Sequence, residues 1–156
     1  MTSGREVPRA LRAAYMALHR QTNACFAMDG VTADQFVLLA ALADEDEVTQ
    51  QELVRRVGSD HNTVRAMLLR LEARGLVSRE RHPIDGRARC VTLTGKGRRA
   101  FEKLLAKSEA LRARLLAAFR PDDVTALLGL LHRVAAVMAP PPCGRSRARR
   151  PLFPCP

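Results

Sequence analysis

Hydrogen-bonding side chains of four different types lie between positions 61 and 65 of this sequence: His61, Asn62, Thr63 and Arg65. Side chains such as Asn, Thr and Arg bond the edges of nucleic acid bases, and a helix that carries them fits the major groove of a duplex. Apolar residues in the same stretch recur at helical spacing and so predict a buried opposite face: Val64, Met67, Leu68 and Leu71. The pattern predicts an anchored helix with base-reading donors on its exposed side.

A basic hairpin is predicted directly after this helix. Residues 76–81 and 87–93 have the composition of strands, and Pro83 with the turn dipeptide Asp85-Gly86 lies between them. Two short helices, a strand, an Arg-rich loop and a second strand follow one another in the order of a winged helix. This order predicts a mainly α fold with a small β-hairpin wing.

The short helices have recognisable start and stop signals. Thr49 and Glu52 form a T-x-x-E capping box, and a second box, formed by Thr32 and Gln35, precedes the apolar helix 36–42. Gly58 marks the turn after which Ser59 and Asp60 open the next helix, and Gly75 closes that helix near Arg74. These signals predict where the base-reading helix begins and ends.

Longer helices are predicted on both sides of this centre. One covers residues 8–28 and is ended by Gly30, one runs from Thr94 to about Phe119, and the last runs from Pro121 to about Met138. Their apolar stripes exceed what a helix-turn-helix of this size can cover alone. Helix pairing between two chains would bury the excess.

Composition limits the function classes. With 156 residues, 26 Lys plus Arg, 16 Asp plus Glu and a net charge of +10, the chain suits one basic domain with helical extensions. The charge favours a polyanionic partner, although an anionic membrane surface or simple solubility would also agree with it. Charges interrupt the N-terminus, and no run approaches the roughly 18 apolar residues of a membrane span, so we expect a cytoplasmic protein.

Catalytic and cofactor patterns are weak in this sequence. Cys25, Cys90, Cys143 and Cys155 form no C-x-x-C pair and lie at no metal-ligand spacing from a histidine, so no metal is expected. Residues 95–100 satisfy G-x-G-x-x-A, but no second parallel strand follows the helix, and a dinucleotide cofactor is therefore not predicted. With no convergent catalytic set, we do not expect an enzyme.

With these motifs in view, residues 31–97 resemble the MarR family of bacterial transcription regulators. The resemblance depends on the text LEARGLV, on a wing that contains Asp85 and Arg87 as D-x-R, and on V-T-L-T-x-x-G ending at Gly97. It implies a winged helix-turn-helix over residues 31–97, flanked by N- and C-terminal dimerisation helices at 1–30 and 98–138. It also implies a homodimer that reads a palindromic site in double-stranded DNA.

The resemblance assigns roles to individual side chains. Asn62, Thr63 and Arg65 would contact bases, with His61 a further DNA-binding candidate near the edge of the same face. Arg87 would enter the minor groove, where a narrow groove enhances the negative potential. Asp85 would fix the wing, Arg89 and Arg81 are weaker wing candidates, and Arg70 with Arg55 or Arg56 would contact phosphates. Where the family commonly has Arg and a polar residue, this chain has Ala66 and Leu69.

A small aromatic effector is a further implication, because many family members bind such compounds between the dimer-forming helices and the DNA-reading part. Candidate lining residues are Tyr15, His19, Asn23, Phe26 and Phe36, each equally well explained as core or helix surface. Some relatives sense peroxides through a Cys near the start of the first helix, whereas Cys25 lies near its end, which favours inert packing.

The predicted function is a ligand-responsive repressor that binds DNA as a homodimer. The alternative is a winged helix used as a protein-interaction module, since fold does not fix function. Residues 139–156 form a basic, Pro-rich tail that we expect to be disordered; an arm that contacts phosphates and a segment without function are equally compatible with its composition.

Overall fold

A computed structural model describes residues 4–45 and 47–139 of the chain. The predicted disordered tail at 139–156 therefore lies, apart from Ala139, outside the described residues. The elements in this part of the chain are α1 (Glu6–Phe26), a 3₁₀ turn (Ala27–Asp29), α2 (Ala33–Ala43), β1 (Val48–Thr49), α3 (Gln50–Val57), α4 (His61–Ala73), β2 (Val77–Arg81), β3 (Arg89–Leu93), α5 (Gly95–Lys107), α6 (Glu109–Leu116) and α7 (Pro121–Met138).

The turn geometry around α4 follows the sequence signals. Gly58 and Gly75 both adopt positive φ, 63° and 69°, which lets the chain reverse direction at each end of α4 without a Cβ clash. The Asp60 carboxylate accepts the backbone N–H of Thr63 at 2.9 Å and caps the helix. The predicted boundaries of this helix are confirmed.

A three-stranded antiparallel sheet in the order β1-β3-β2 forms the wing and its base. The hairpin register pairs Val77 with Leu93 and Arg81 with Arg89, and β1 adds Val48 opposite Val91. The expectation that the second strand begins at Arg87 is wrong, because Ala88 N–H donates to Asp85 O at 2.9 Å and keeps residues 85–88 in a turn. The two-residue strand β1 was not predicted.

The hydrophobic core joins the end of α1 to α2, α3, α4, the sheet and α5. Val64, Leu68 and Leu71 are fully buried and Met67 packs against the same core, which confirms the predicted inner face of α4. Burial of a large apolar side chain stabilises the fold by roughly 1.5–3 kcal/mol. The outer face of α4 is thereby held at a fixed orientation.

The prediction of one long helix from Thr94 to Phe119 is wrong. The chain breaks at Ser108, which separates α5 from α6. The Ser108 hydroxyl, which is almost fully buried, donates to Leu105 O at 2.8 Å and competes with the helical hydrogen bonds at that point. The predicted start of α7 at Pro121 is confirmed, and Asp123 accepts the Arg120 N–H at 3.2 Å.

Only one of the two predicted capping boxes is complete. At α2 the Gln35 N–H donates to Thr32 Oγ1 at 3.2 Å, and the Thr32 N–H donates to Gln35 Oε1 at 3.1 Å. At α3 the Glu52 N–H donates to Thr49 Oγ1, but the Glu52 carboxylate binds Arg55 and Arg56 instead of returning to Thr49. The reciprocal half of that box was predicted wrongly.

The described residues divide into two compact units, the first ending at Arg114 and the second beginning at Leu115. In the second unit, every described residue of α7 is at least partly exposed. Within the described ranges no single helix is long and apolar enough to cross a membrane, and α1 with α2 reaches that length and composition only as a pair bent by 82°. The division into a central domain and flanking dimerisation helices stays a prediction.

Candidate nucleic-acid interface

The exposed face of α4 presents most of the predicted base-reading side chains. His61, Asn62 and Arg65 are exposed at the start of the helix, and Arg70 is exposed further along it. The side chains of Arg65 and Arg70 form no ion pair or hydrogen bond within residues 4–45 and 47–139. Both guanidinium groups are therefore available to an external acceptor.

Thr63 has a structural partner. Its hydroxyl donates to Asp60 Oδ2 at 2.6 Å, and this hydrogen bond is the main reason why the pKa of the Asp60 carboxyl is lowered. The hydroxyl therefore uses its only proton inside the protein and can offer a base only an acceptor. The sequence showed Thr63 as a polar residue at the edge of the face but did not reveal this bond.

The wing turn is fixed by two side chains. Asp85 Oδ1 accepts the backbone N–H of Arg87 at 3.1 Å, which sets the point from which the Arg87 side chain leaves the wing. His82 Nδ1 accepts the N–H groups of Ile84 at 3.3 Å and Asp85 at 3.1 Å. Sequence reasoning missed His82, although its place just before Pro83 and the Asp85-Gly86 turn offered a signal.

Two open clefts lie where the wing meets α3 and α4. His61 and Arg89 line both clefts; Asp85 and Arg87 complete the first, of about 460 Å³, and Asn62 and Arg65 line the second, of about 530 Å³. The structure therefore brings six of the predicted residues to one concave surface. Thr63 and Arg70 line neither cleft and lie on the other flank of α4.

Arg79 connects the wing to both short helices. Its guanidinium donates to Gln50 Oε1 of α3 at 3.0 Å and lies 3.4 Å from Glu72 Oε2 of α4, while its side chain is only 12% exposed. These contacts hold β2 against α3 and α4, so the wing and the exposed face of α4 form one surface. Nothing in the residue pattern distinguishes Arg79, whose side chain points inward, from the neighbouring exposed arginines.

Arg55 and Arg56, the other candidates for phosphate contacts, are already paired. Glu52 accepts from both guanidinium groups at 2.5–2.9 Å, and Arg56 also donates to Glu45 at 2.7 Å. The two arginines hold the pKa of Glu52 at about 2, against an ordinary 4.5. Each arginine therefore offers a phosphate only the N–H donors that its carboxylate partners leave over.

Three candidate effector residues form a polar chain between α1 and α2. Tyr15 OH donates to Asp34 Oδ1 at 3.5 Å, and His19 Nε2 lies 3.2 Å from Asp34 Oδ2. Asn23 contacts His19 Nδ1 and accepts the Ala33 N–H at 2.7 Å, so it helps to begin α2. Burial, and then Asp34, raises the pKa of Tyr15 above its ordinary value.

The two candidate phenylalanines lie in or against the core. Phe26 is fully buried, its ring centroid is 5.0 Å from that of Phe36, and Phe36 stacks on Phe101 at 5.6 Å. A separate open cleft of about 440 Å³ is lined by Tyr15, Asp34 and Val37 together with Thr63 and Met67 of α4. Of the five candidates only Tyr15 lines this cleft.

The described residues contain no group of three or more His, Cys, Asp or Glu side chains that could hold a metal ion. Cys25 is half-buried and donates weakly to Lys107 O at 3.5 Å. Cys90 is buried, and its pKa is raised by the Glu47 carboxylate and by burial, which disfavours the reactive thiolate.

A helix with an exposed polar start, set on a second short helix and followed by a basic hairpin, defines the winged helix-turn-helix class. A sequence model of the MarR family matches residues 29–88. The chain belongs to the MarR family.

Similar proteins agree with this assignment. The HTH-type transcriptional regulator YdgJ of Bacillus subtilis is 32% identical over 69% of this chain, and the match spans 66% of YdgJ. BpsR of Bordetella bronchiseptica, whose DNA binding is regulated by 6-hydroxynicotinic acid, is 29% identical, with a TM-score of 0.77 over 86% of this chain and 96% of BpsR. The repressor CouR, bound to a 23-mer DNA duplex, is 29% identical, with a TM-score of 0.76 over 86% of this chain and 98% of CouR.

Proposed function

We propose that this chain is a sequence-specific DNA-binding transcription regulator, a ligand-responsive repressor that acts as a homodimer on a palindromic operator. The proposal rests on the difference between arginines that form ion pairs and arginines that form none. Arg55, Arg56 and Arg79 have carboxylate partners, whereas the guanidinium groups on the α4 face and the wing have none among the described side chains: Arg65, Arg70, Arg87 and Arg89. Arg65, Arg87 and Arg89 line the concave surface between α4 and the wing, and Arg70 lies on the other flank of α4. Cations without internal partners at these positions fit a phosphate backbone.

The DNA-bound state of CouR, a similar structure, supports this reading. In our proposal α4 enters the major groove with Asn62 and Arg65 towards the bases, and Arg87 reaches the adjacent minor groove. Two copies related by a two-fold axis would place their α4 helices about 34 Å apart, on successive major grooves. The exposed apolar face of α7 supports pairing of two chains.

The effector is a small aromatic compound in this proposal, as 6-hydroxynicotinic acid is for BpsR. The cleft that contains Tyr15 also contains Thr63 and Met67 of α4, so an occupant would touch both the N-terminal helix and the recognition helix. A ligand that binds better to a form with misplaced α4 helices shifts the population away from DNA. Asp34, which lines this cleft, offers a carboxylate acceptor for a phenol hydroxyl.

The proposal is tested by fluorescence anisotropy on a duplex selected from random sequences by the wild-type protein. Arg87→Ala is expected to weaken binding and to lower the slope of log affinity against log salt by about one unit. Arg65→Ala should also reduce the discrimination between the selected duplex and mismatched ones. Arg20→Ala, which removes an exposed arginine of α1, is the matched control. Unchanged affinity and slope in both test variants would overturn the proposed docking.

A further inference from the structure

The centre of the exposed face of α4 is apolar. At 3.6 residues per turn, Ala66, Leu69 and Ala73 follow Asn62 on one stripe directly opposite the buried face of Val64, Leu68 and Leu71. Leu69 is 46% exposed and does not belong to the core or to the residues packed against it. Its exposure therefore has no explanation in the packing of the described chain.

Two arginines flank this apolar stripe. Arg65 lies on one side of it and Arg70 on the other, at similar angles around the helix axis, and both are without an ionic partner in the described ranges. A helix in the major groove presents its centre to base edges, and a long side chain on either flank reaches a base edge, as proposed for Arg65, or a phosphate, as proposed for Arg70. An apolar centre with an arginine on each side therefore suits a helix that lies in the major groove. It extends the proposed DNA interface further along α4.

The major groove offers one apolar group, the C5-methyl of thymine. We infer that Leu69, with Ala66 beside it, reads thymine methyl groups in each half-site, an inference that rests on the proposed DNA-binding function. Asn62 and Leu69 are seven positions apart, which is about 10 Å along the helix and therefore about three base pairs along the groove. The thymine under Leu69 is accordingly expected about three base pairs from the base that Asn62 contacts.

The test replaces single thymines of the selected duplex by deoxyuridine, which keeps every hydrogen-bonding group and removes only the methyl group. At the position under Leu69 the wild-type protein should bind the deoxyuridine duplex about three- to fourfold more weakly, as expected for one buried methyl group. Leu69→Ala and Leu69→Asn should bind the two duplexes equally. Leu18→Ala alters a similarly exposed apolar side chain on α1 and should keep the wild-type ratio.

Each outcome is decisive. If the wild-type protein binds its selected duplex but no thymine replacement weakens it, or if the ratio survives in both Leu69 variants, the thymine contact is wrong while DNA binding stands. If the wild-type protein selects no sequence and binds no duplex, the proposed function fails as well. Because Leu69 lies outside the core, circular dichroism should show both Leu69 variants folded as the wild type.

Discussion

A single imidazole orders the tip of the wing. His82 Nδ1 accepts two backbone N–H groups, from Ile84 and Asp85, and Asp85 in turn accepts the N–H of Arg87. The hydrogen bonds require Nδ1 to be unprotonated, so the His82 proton lies on Nε2. The direction of the Arg87 side chain therefore depends on a residue that itself needs no contact with DNA.

We predict that His82→Ala loosens this turn while leaving the core intact. The backbone amides of Ile84 and Asp85 should exchange their hydrogens about fivefold faster, because a hydrogen bond contributes about 1 kcal/mol. Affinity for the selected duplex should fall by a similar factor. Hydrogen exchange followed by NMR and anisotropy measure the two effects.

His82→Asn is the matched control for the wing prediction. The Asn side-chain oxygen accepts backbone N–H groups two or three residues ahead in turns of this kind, so slow exchange should largely return. Equal exchange rates in the wild type and the Ala variant would show that the imidazole does not order the turn.

At the scale of single residues, the sequence predicts which side chains are buried better than it predicts their hydrogen-bond partners. Periodicity alone places Val64, Leu68 and Leu71 inside, because burial follows the helical repeat. It does not show that the Thr63 hydroxyl is used by Asp60 or that Arg79 turns inward to Gln50. Such bonds depend on where other elements lie in space.

Among the elements, the start of α3 illustrates the same limit. Thr32 and Thr49 open their helices with the same type of motif, yet only Gln35 returns to its cap residue. At α3, Arg55 and Arg56 lie one turn after Glu52 and attract its carboxylate. A charge pair three or four residues apart competes with the capping box, and the motif by itself does not show which wins.

The Glu52 cluster makes stability depend on pH. The pKa of Glu52 in the folded protein is about 2, below the ordinary 4.5, so its stabilising contribution is complete above about 4.5 and is lost as pH falls towards 2. We predict that the urea midpoint of the wild type falls more steeply than that of Glu52→Gln between pH 5 and pH 2.5. This interval corresponds to the difference of about two pH units between the ordinary and the folded pKa of Glu52. Glu102→Gln removes an exposed carboxylate of α5 without an ion pair in the described chain. That control should follow the wild-type curve, and parallel curves for all three proteins would contradict the prediction.

The junction between β3 and α5 explains a motif that does not bind a dinucleotide. A Cβ at Gly97 would collide with the backbone carbonyl of Leu76, which also accepts the Thr94 N–H at 3.1 Å. Glycine is required here because α5 begins in contact with the chain that leaves α4. Close backbone packing thus accounts for the second glycine of the G-x-G-x-x-A pattern.

We predict that Gly97→Ala lowers the free energy of unfolding by about 3 kcal/mol, because the backbone must shift to admit the methyl group. Urea denaturation measures this change. Gly129→Ala is the contrasting variant: it lies inside α7 with open space around its Cβ, and should stabilise the helix by up to about 1 kcal/mol. A Gly97→Ala protein as stable as the wild type would show that this contact is looser than described.

At the scale of the whole molecule, a polar network connects the recognition helix to its support within the first unit. Arg74, at the end of α4, donates to the carbonyls of Asp29 and Gly30, and the Asp29 carboxylate pairs with Lys103 and Lys107 of α5. The lysine hydrogen bonds lower the pKa of Asp29. The 3₁₀ turn after α1 thus contacts both α4 and α5 through these polar groups.

The exposed apolar face of α7, in the second unit, supports a two-chain assembly. In α7 four apolar residues at helical spacing form one face, each at least 37% exposed: Leu127, Leu128, Leu131 and Val134. Burial of each against a second chain would contribute roughly 1.5–3 kcal/mol to association, whereas a carboxylate in that place would have to lose its water.

Leu131→Asp is therefore expected to convert the protein to a monomer in sedimentation equilibrium. Its affinity for a palindromic duplex should fall to that of a single half-site, while a duplex with one half-site should show little change. Thr125→Asp, on the opposite face of α7, should remain dimeric; a dimeric Leu131→Asp protein with full operator affinity would place the pairing surface elsewhere.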